Sequence, residues 1–331
     1  MTYFRLKKEL NWSLRSKGIV VYEGNKKLQI AINTDKNEEL FKFLMFLSDF
    51  KNSQEIKNYS ALTEIEKKDA INYLTTKNFL QSFDHPMNLD RTDLFVNSFP
   101  DISFKEFKTY RETCKVVVIG LGTIGSHVVD ILIRLGFRHF VIIDGDKVEE
   151  KNLSAQSYFA SDIGMYKVDV MRDRYRHIVD IESYPIFIDS FSQLQKITKD
   201  LKRDDIIINA ADDYKLMKSL AESIMNKQLM CKVIESGYGP LLQTAYVIST
   251  YEAANIFYDY IEKMTEIDRC INNINENNGS VLNGYMSAFM IGQLILFSFF
   301  NKNYKVAEYN FLDNFLDNFL EWKEEIRCSI M

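Results

Sequence analysis

The sequence is poor in the residues that mark metal sites, disulfide frameworks and secreted proteins. Its 331 residues contain 4 cysteines, which lie far apart and form no CxxC pair, so neither a structural zinc site nor a disulfide framework is indicated. The 4 histidines show no pairing with cysteine or acid at ligand spacing. The opening MTYFRLKKELNW lacks the apolar run of a secretion signal. We therefore expect a cytoplasmic protein with reduced thiols and no zinc.

An excess of positive charge and a membrane-spanning run are missing as well. The formal net charge is −5, so no global field favours binding to nucleic acid. The most apolar run covers residues 285–300 and includes Ser287 and Gln293. It is shorter than the roughly 20 residues that a bilayer-crossing helix needs, which predicts a buried helix instead. We expect no nucleic acid and no membrane among the partners of this chain.

The length and composition indicate a globular protein with more than one domain. Of the residues, 46% are apolar and 26% are charged, the balance of an ordinary folded protein. A chain of 331 residues is long enough for two domains and a large core. We predict a first domain at 1–84, a linker at 85–108 that contains Pro86 and Pro100, and a second domain at 109–331.

The first predicted domain has the pattern of a small winged-helix module of mixed α and β structure. The stretch GIVVYEGNKKLQIAIN gives two alternating strands around a Gly24-Asn25 turn, which is a hairpin signal. Three helical stretches follow, and the third opens with Thr63 before Glu66, as in a capping box. The segment FLQSF is predicted to close the domain as a strand.

Strands and helices alternate from Cys114 onward, which predicts a mostly parallel sheet covered on both faces. The predicted strands are KVVVIG, HFVIID, a segment near SYPIFI, DDIIINA and CKVIESG. An antiparallel excursion is expected from Thr244, and the repeat NFLDNFLDNFL at 310–320 predicts an amphipathic helix. The predicted fold class is therefore α/β, with a Rossmann-like sheet after a small α+β domain.

The segment KVVVIGLGTIG at 115–125 contains the GxGxxG pattern of a Rossmann turn. A buried strand over 116–119 runs into Gly120, Gly122 and Gly125 and then into the amphipathic helix SHVVDILIRLGF. Such glycines allow a tight turn, close approach of the backbone to phosphate, and close packing of helix on strand. The helix N-terminus then presents N–H groups and partial positive charge to an anion. This segment predicts a phosphate-binding turn.

The strand after this helix, HFVIID, ends in Asp144, nineteen residues after Gly125. An acid at this position holds the ribose in Rossmann-type sites. The strand end carries a second acid, Asp146, and is followed by KVEEKNLSAQSYF with Asn152 and Gln156. The chain is therefore expected to bind an adenine nucleotide, or to descend from a protein that did.

Two further blocks narrow the class of nucleotide site. One is DIGMYKVDVMRDRY, which contains Lys167, and the other is INAADDYKLMKSL, which places Asp212 at the carboxyl end of a strand. In order and spacing, the blocks resemble the ThiF-like adenylating proteins, the superfamily of ubiquitin-activating enzymes, over about residues 89–300. An NAD-dependent oxidoreductase would leave the acid pair and these two blocks unexplained.

The resemblance implies attack of a carboxylate on the α-phosphate of ATP, with release of pyrophosphate. Two catalytic residues are implied, because Lys167 would neutralise phosphate charge and Asp212 would hold magnesium on the triphosphate. Such chemistry is mostly positioning and charge stabilisation. The residues that the resemblance implies for nucleotide binding are Gly120, Gly122, Gly125, Asp144, Asp146, Asn152, Gln156, Lys167 and Asp212.

Each of these residues also has a simpler explanation. The glycines could serve only the packing of helix on strand. Asp144 could merely end a strand, and Lys167 could be a solvated helix residue. Asp212 and Asp213 could cap the helix YKLMKSLAESIM, which they precede.

Two departures from the family pattern bear on activity. Active members usually carry an Asn-Arg-Gln run where this chain has Ser154-Ala155-Gln156, so Ala155 replaces the arginine that would contact the triphosphate. Its loss would weaken stabilisation of the transition state, and ATP and magnesium binding are therefore open questions for this chain. Many members also bind zinc through two CxxC pairs, which this chain lacks. The arginines that could compensate are Arg172, Arg174 and Arg176, or Arg91 from a second subunit.

The first domain resembles the PqqD-like leader-peptide-binding domain of enzymes that make peptide natural products. Such a domain binds an unstructured leader as an added strand, so that backbone hydrogen bonds supply the affinity. The strand at 18–22 or the strand at 28–32, with the third helix, would form the cleft. The alternative is a domain that serves dimerisation or packing.

The two resemblances occur together in two settings, and they imply different functions. In the first, a microcin C type adenylating enzyme activates the carboxyl end of a ribosomally made peptide. In the second, a ThiF-like component of azole-forming and thiopeptide systems binds the leader and presents the peptide to a YcaO-type cyclodehydratase that uses the ATP. We predict the second function, because the arginine is missing while the winged-helix module is kept. The alternative is an active peptide adenylyltransferase, which the retained acids and Lys167 favour. A homodimer is implied by the resemblance in either case.

Overall fold

In the computed structural model, the described parts of the chain divide between two compact units, 1–107 and 108–331. The predicted turn at Gly24-Asn25 and the predicted helix beyond Asn310 lie outside the described residues. The described residues are 1–22, 29–98, 104–198, 200–239, 242–270, 279–300 and 306–310.

The N-terminal unit combines two small antiparallel sheets with short helices. One three-stranded sheet has the order β5-β1-β6, and the other has the order β2-β3-β4. Both are antiparallel throughout. Its elements are β1 (Tyr3–Leu6), β2 (Asn11–Arg15), β3 (Gly18–Tyr22), β4 (Gln29–Ile32), α1 (Asn37–Phe46), β5 (Lys51–Asn52), α2 (Ser53–Lys57), α3 (Glu64–Thr76), β6 (Leu80–Phe83) and α4 (Arg91–Asn97).

Side-chain caps mark the start of α2, α3 and α4. Thr63 accepts a hydrogen bond from the N–H of Glu66, whose carboxylate accepts from the N–H of Thr63, so the predicted capping box of α3 is present. Another box, between Asp90 and Asp93, starts α4 inside the segment expected to be a linker. The α4 residue Asn97 accepts a hydrogen bond from Gln81 of β6, which ties this helix to the unit.

Apolar side chains from the helices and from strands of both sheets form the core of the N-terminal unit. Phe43 and Leu44 of α1 pack with Ile19 and Val21 of β3 and with Leu6 of β1. The apolar stripe of α1 thus meets the side chains of β3 and β1 in one cluster.

The C-terminal unit is built on one seven-stranded sheet with the order β13-β12-β11-β10-β7-β8-β9. The helix α5 (Phe104–Thr113) crosses the boundary between the units and precedes the sheet. The remaining elements are β7 (Lys115–Ile119), α6 (Gly125–Leu135), β8 (His139–Ile143), α7 (Lys167–Tyr175), β9 (Asp180–Tyr184), α8 (Phe191–Ile197), β10 (Ile206–Asn209), α9 (Tyr214–Met225), β11 (Lys232–Tyr238), β12 (Leu242–Ile248), α10 (Tyr251–Cys270), α11 (Val281–Phe300) and β13 (Val306–Asn310).

The five strands from β11 to β9 are parallel, and β12 and β13 are antiparallel additions at one edge. The central strands are apolar on both faces, as a sheet covered on both sides requires. This confirms the predicted α/β class with a mostly parallel, Rossmann-like sheet. The strand predicted near SYPIFI covers Asp180–Tyr184 and ends just before Pro185.

The apolar run at 285–300 lies in α11, which packs against α6 and β12. Its buried residues include Ile291 and Leu294, each exposed by no more than 1%. No helix among the described residues combines the length and the hydropathy that a bilayer crossing requires.

Candidate functional site

The carboxyl ends of β8, β7 and β10 meet at one edge of the sheet. The N–H of Gly120, just after β7, donates to the carbonyl of Ile143 at the end of β8, at 2.8 Å. On the other side, the N–H of Ala210 donates to the carbonyl of Ile119, also at 2.8 Å. The turn after β7 therefore lies between two neighbouring strand ends, at the position where open α/β sheets bind ligands.

The three glycines of this turn meet different requirements. Gly120 has φ of +83°, and a Cβ on it would lie 2.8 Å from the backbone nitrogen of Ala211. A Cβ on Gly125 would lie 1.9 Å from the carbonyl oxygen of Gly120, so this glycine lets α6 pack onto the turn. Around Gly122 the nearest atom to such a Cβ is Nε2 of Gln156, at 3.9 Å. Gly122 is thus the one of the three beside open space, where a ligand can approach the backbone.

Asp144 joins the glycine turn to the acidic turn after β8. Its carboxylate accepts from the N–H of Leu121 at 2.6 Å and from the N–H of Asp146 at 2.7 Å. Burial raises the pKa of Asp144 above its ordinary value, while the Lys167 ammonium and the two N–H groups act in the opposite direction. A carboxylate has about four acceptor sites, so two bonds to backbone leave capacity for ribose hydroxyls.

Asp146 and Lys167 form an ion pair at the same edge. The Lys167 ammonium lies 3.0 Å from Oδ2 of Asp146, and its side chain is 5% exposed, against 54% for that of Asp146. The backbone N–H of Lys167 also donates to the carbonyl of Asp146 at 3.0 Å. The buried ammonium is therefore held beside an open carboxylate rather than solvated on a helix face.

Gln156 lies at the glycine turn, whereas the Asn152 side chain is used within its own loop. The oxygen of Asn152 accepts from the N–H of Glu149 at 2.8 Å and so fixes one short helical turn. Gln156 places its amide nitrogen beside Gly122, and its Oε1 is buried without a hydrogen-bond partner among the described residues. A buried acceptor without a partner is costly, which marks Gln156 as a side chain that a ligand could satisfy.

Of the two acids after β10, only Asp213 serves as a helix cap. Its carboxylate accepts from the N–H groups of Lys215 and Leu216, at 2.8 and 3.2 Å. Asp212 is exposed and directly follows Ala211, whose backbone abuts Gly120. Asp212 therefore stands at the edge that carries the glycine turn, without the capping role of its neighbour.

Three side chains not predicted from the sequence attach the loop at 147–166 to the glycine turn and the start of α6. Tyr158 donates to the carbonyl of Leu121 at 2.9 Å, and the N–H of Ser157 donates to Ser126 at 3.0 Å. Nε2 of His127 lies 3.1 Å from the carbonyl of Ala155, so this nitrogen carries the hydrogen. Burial lowers the pKa of His127, which favours the neutral ring.

The three arginines in and just after α7 that could replace the missing guanidinium each have an acidic partner. Arg172 pairs with Asp169 at 2.8 Å, and Arg176 pairs with Asp173 at 3.6 Å. Arg174 donates to the carbonyl of Ser157 at 2.7 Å and pairs with Asp162 at 3.2 Å. In this structure these arginines stabilise α7 and its neighbouring loop.

A buried acid lies next to the end of β10. Asn209 donates to Oε2 of Glu235 on the adjacent strand at 2.8 Å, and its own side-chain oxygen accepts from the N–H of Ala211 at 3.2 Å. Burial raises the pKa of Glu235 well above its ordinary value. The sequence contains no signal for this pair, because the two residues meet only through strand pairing.

The arrangement suits an anionic, phosphate-bearing ligand. An uncapped helix start, open backbone at Gly122 and a buried ammonium supply donors and positive charge, while exposed carboxylates supply hard oxygen ligands. Within the described ranges, no group of three or more histidine, cysteine or acidic residues could hold a metal ion alone. A magnesium ion carried in by phosphates needs only one or two protein carboxylates, and Asp212 fits that requirement.

Comparison with known proteins gives matches over most of the chain. The model described as "ThiF family" matches residues 96–319. The chain is 30% identical over 108 residues to the ATP-dependent ubiquitin transferase-like protein Cap2 of Enterobacter hormaechei, covering 32% of this chain and 18% of Cap2. The chain thus spans less than two thirds of the length of the curated relatives it matches first.

Solved structures match nearly the whole chain. E. coli MccB with AMPCPP and MccA has a TM-score of 0.65 and 17% identity, covering 94% of this chain and 97% of MccB. The protein PaaA has a TM-score of 0.66 and 17% identity, covering 92% of this chain and 98% of PaaA. At these identities the likeness establishes the fold.

Proposed function

Because the chain belongs to the ThiF family, we propose that it uses ATP to activate the carboxylate of a ribosomally made peptide. A carboxylate oxygen forms a bond to the α-phosphorus, and the bond from that phosphorus to pyrophosphate breaks. The single observation that carries this proposal is the buried Lys167–Asp146 pair, which Asp144 joins to the glycine turn through the N–H groups of Asp146 and Leu121. It supplies positive charge where a triphosphate would lie on the turn.

Each residue of the site has a role in this proposal. The N–H groups around Gly122 and the start of α6 bind phosphate oxygens. Asp144 orients the ribose, and Lys167 leaves Asp146 to contact phosphate, which its compact charge suits. Asp212 holds magnesium, which would neutralise charge on the triphosphate when bound. The buried Oε1 of Gln156 accepts a hydrogen bond from the nucleotide.

The alanine at position 155 is expected to slow this reaction rather than abolish it. Removing one preorganised group from a transition-state site lowers the rate by about 10²–10³-fold, whereas enzymes accelerate reactions by roughly 10⁶-fold or more. The lysine and both acids are retained, so most of the charge stabilisation remains available. This comparison of magnitudes favours an active adenylyltransferase.

The N-terminal unit supports a peptide as the substrate. In the described sheet β2-β3-β4, β3 is central, so of the two strands expected to bind a leader only β4 has an outer edge. An extended peptide can add to such an edge through backbone hydrogen bonds. The matched structure of MccB contains both AMPCPP and MccA, which is consistent with a nucleotide and a second partner on this fold.

A second candidate function is supported by Ala155 and by the pairing of Arg172, Arg174 and Arg176 with acids. If no other group replaces the missing arginine, the chain could bind the leader and present the peptide to a YcaO-type cyclodehydratase that uses the ATP. The winged-helix description of the first domain and a homodimer remain part of either proposal.

Neighbouring acids allow a matched test of the first function. We expect Asp212→Asn to lower formation of peptidyl-AMP by at least about 100-fold, because the site loses its magnesium-binding carboxylate. Asp213→Asn should stay within about twofold of wild type, because asparagine caps a helix as well as aspartate does. Mass spectrometry of the peptide product, with purified chain, ATP and precursor peptide, measures both variants.

Equal activity of Asp212→Asn and wild type would contradict the assigned role of Asp212. A wild-type chain that binds the precursor but yields peptidyl-AMP only at background would favour the second function. Conversion of the peptide by an added YcaO-type enzyme, only when this chain is present, would then support presentation.

A further inference from the structure

Phe187 is a large apolar side chain exposed next to the candidate site. It lies in the connection between β9 and α8, and 73% of its surface is accessible. The next residue, Ile188, is buried in the core at 8% exposure. The chain therefore turns one apolar side chain inward and leaves the adjacent ring outside.

Hydrogen bonds on both sides hold this connection in place. The N–H of Ile186 donates to the carbonyl of Tyr184 at 2.9 Å. After Phe187, the N–H of Asp189 donates to Gln193 at 2.9 Å, and Lys215 forms an ion pair with Asp189. The exposure of the ring is thus fixed by its surroundings.

The ring of Phe187 lies against the backbone of Gly145, between the two acids of the site. A Cβ on Gly145 would lie 2.5 Å from both Cδ2 and Cε2 of the ring, which is closer than a real contact allows. The absence of a side chain at position 145 is therefore what lets the ring approach the acidic turn. This contact places an aromatic surface directly beside Asp144 and Asp146.

The order of the strands indicates which part of a nucleotide would reach the ring. The glycine turn follows β7, the acids follow β8, and Phe187 follows β9, and these strands are consecutive neighbours in the sheet. Backbone hydrogen bonds link the three ends in the same order, from Gly120 to Ile143 and from Asp144 to Tyr184. If the phosphates lie at the end of β7 and the ribose at the end of β8, the base lies at the end of β9, about one strand spacing (near 4.8 Å) beyond the ribose.

We propose that Phe187 is a binding residue for the nucleotide base, on which a purine stacks with its flat face. The proposal rests on the nucleotide-binding function proposed above and adds the part of the site that holds the base. Aromatic rings stack on bases through their π-faces, and every base offers such a face. Phe187 therefore contributes affinity without distinguishing ATP from GTP.

The experiment compares ligands with and without a base on the full-length chain. Phe187→Ala should weaken binding of ATP and of GTP on the order of 10-fold or more, measured by calorimetry with magnesium present. Binding of inorganic tripolyphosphate should be unchanged, because it occupies only the turn. Phe187→Tyr should retain wild-type affinity for both nucleotides.

Phe159→Ala is the matched control, since Phe159 is 65% exposed and lies under Arg174 in the neighbouring loop. It should leave all three affinities unchanged. Equal affinity of wild type and Phe187→Ala for ATP would overturn the stacking role alone, as would an equal loss for ATP and tripolyphosphate. A wild-type chain that binds no ATP would overturn the proposed nucleotide-binding function together with this inference.

Discussion

Each unit of the molecule buries a lysine to the same extent, but the two ammonium groups end in different surroundings. Lys67 and Lys167 are both 4% exposed. Lys67 donates to the carbonyls of Lys57 and Tyr59, at 2.6 and 3.0 Å, and pairs with Glu64 at 2.7 Å. Lys167 pairs with Asp146, whose side chain is half exposed.

The difference fits a structural role for Lys67 and the phosphate-binding role that we propose for Lys167. An ammonium has three donors, and Lys67 meets three acceptors, two of them carbonyls whose positions the backbone fixes. The bond to Asp146 uses one donor of Lys167 and ends on a side chain that can move. At equal burial, Lys67 is therefore held by more fixed acceptors than Lys167, as our proposal that Lys167 binds phosphate requires.

The largest expected effect is the loss of activity when Lys167 is removed. Lys167→Ala should lower pyrophosphate release with peptide and ATP by about 10²–10³-fold, equivalent to about 3–4 kcal/mol, because transition-state charge loses its partner. Lys151→Ala is the control, since Lys151 is exposed and pairs only locally with Glu149. Comparable rates for Lys167→Ala and Lys151→Ala would contradict a role of Lys167 in the reaction. The distinction between Lys167 and the structural Lys67 would then fail.

Removing the first lysine should affect stability instead. Lys67→Met removes the donor to the carbonyls of Lys57 and Tyr59 and should lower the free energy of unfolding by about 1–3 kcal/mol. Lys68→Met, at the exposed neighbouring position, should change it by less than about 0.5 kcal/mol. Urea denaturation measures both. An unfolding curve for Lys67→Met that overlays wild type would show that these hydrogen bonds do not stabilise the N-terminal unit.

A smaller effect depends on pH and arises at Glu235. Because burial raises its pKa above the ordinary 4.5, the folded state keeps a proton that the unfolded state releases. The stabilising contribution is complete below pH 4.5 and is lost as the pH rises through the folded pKa, by at most about 1.4 kcal/mol per pH unit.

Glu235→Gln keeps an acceptor for Asn209 and does not titrate. Its stability relative to wild type should therefore increase as the pH rises above 4.5, in urea denaturation at several pH values. Glu252→Gln, at an exposed position, should show no such trend. A pH-independent difference between Glu235→Gln and wild type would show that Glu235 is ionised in the folded protein.

The smallest effect tests the outer edge of β4. Successive N–H groups of a strand point to opposite sides, so one of Ile30 and Ala31 donates to β3 and the other points to the outer edge. Proline at the first position removes a hydrogen bond within the sheet, and proline at the second removes a donor that the leader would use. The variant that keeps the wild-type melting temperature should bind the leader about fivefold more weakly, as expected for one lost hydrogen bond. Unchanged affinity in that variant, measured by fluorescence anisotropy, would exclude β4 as the docking edge.

The C-terminal unit was largely predictable because its signals are local in sequence. Apolar runs of strand length fixed β7 and β8, and the glycine spacing predicted the turn, including the close packing that Gly125 requires. The sequence could not distinguish the roles of Asp212 and Asp213, since both precede α9. Only the hydrogen bonds show that Asp213 is the cap.

Contacts between distant segments could not be predicted. The Asn209–Glu235 pair depends on the register of two parallel strands, and the Phe187 contact with Gly145 depends on where β9 ends. In the N-terminal unit, β1 (YFRL) is short and does not alternate, whereas β2 (NWSLR) alternates over only five residues; neither strand was predicted. Similarly, the capping box that starts α4 lies in a segment whose prolines suggested a linker.

Pyrophosphate–ATP exchange by the purified chain tests the central claim most directly. With precursor peptide and magnesium, and with no other enzyme present, label from pyrophosphate should enter ATP, and omission of the peptide should stop it. Absence of exchange in a chain that binds both ATP and the peptide would contradict activation of a carboxylate at this site.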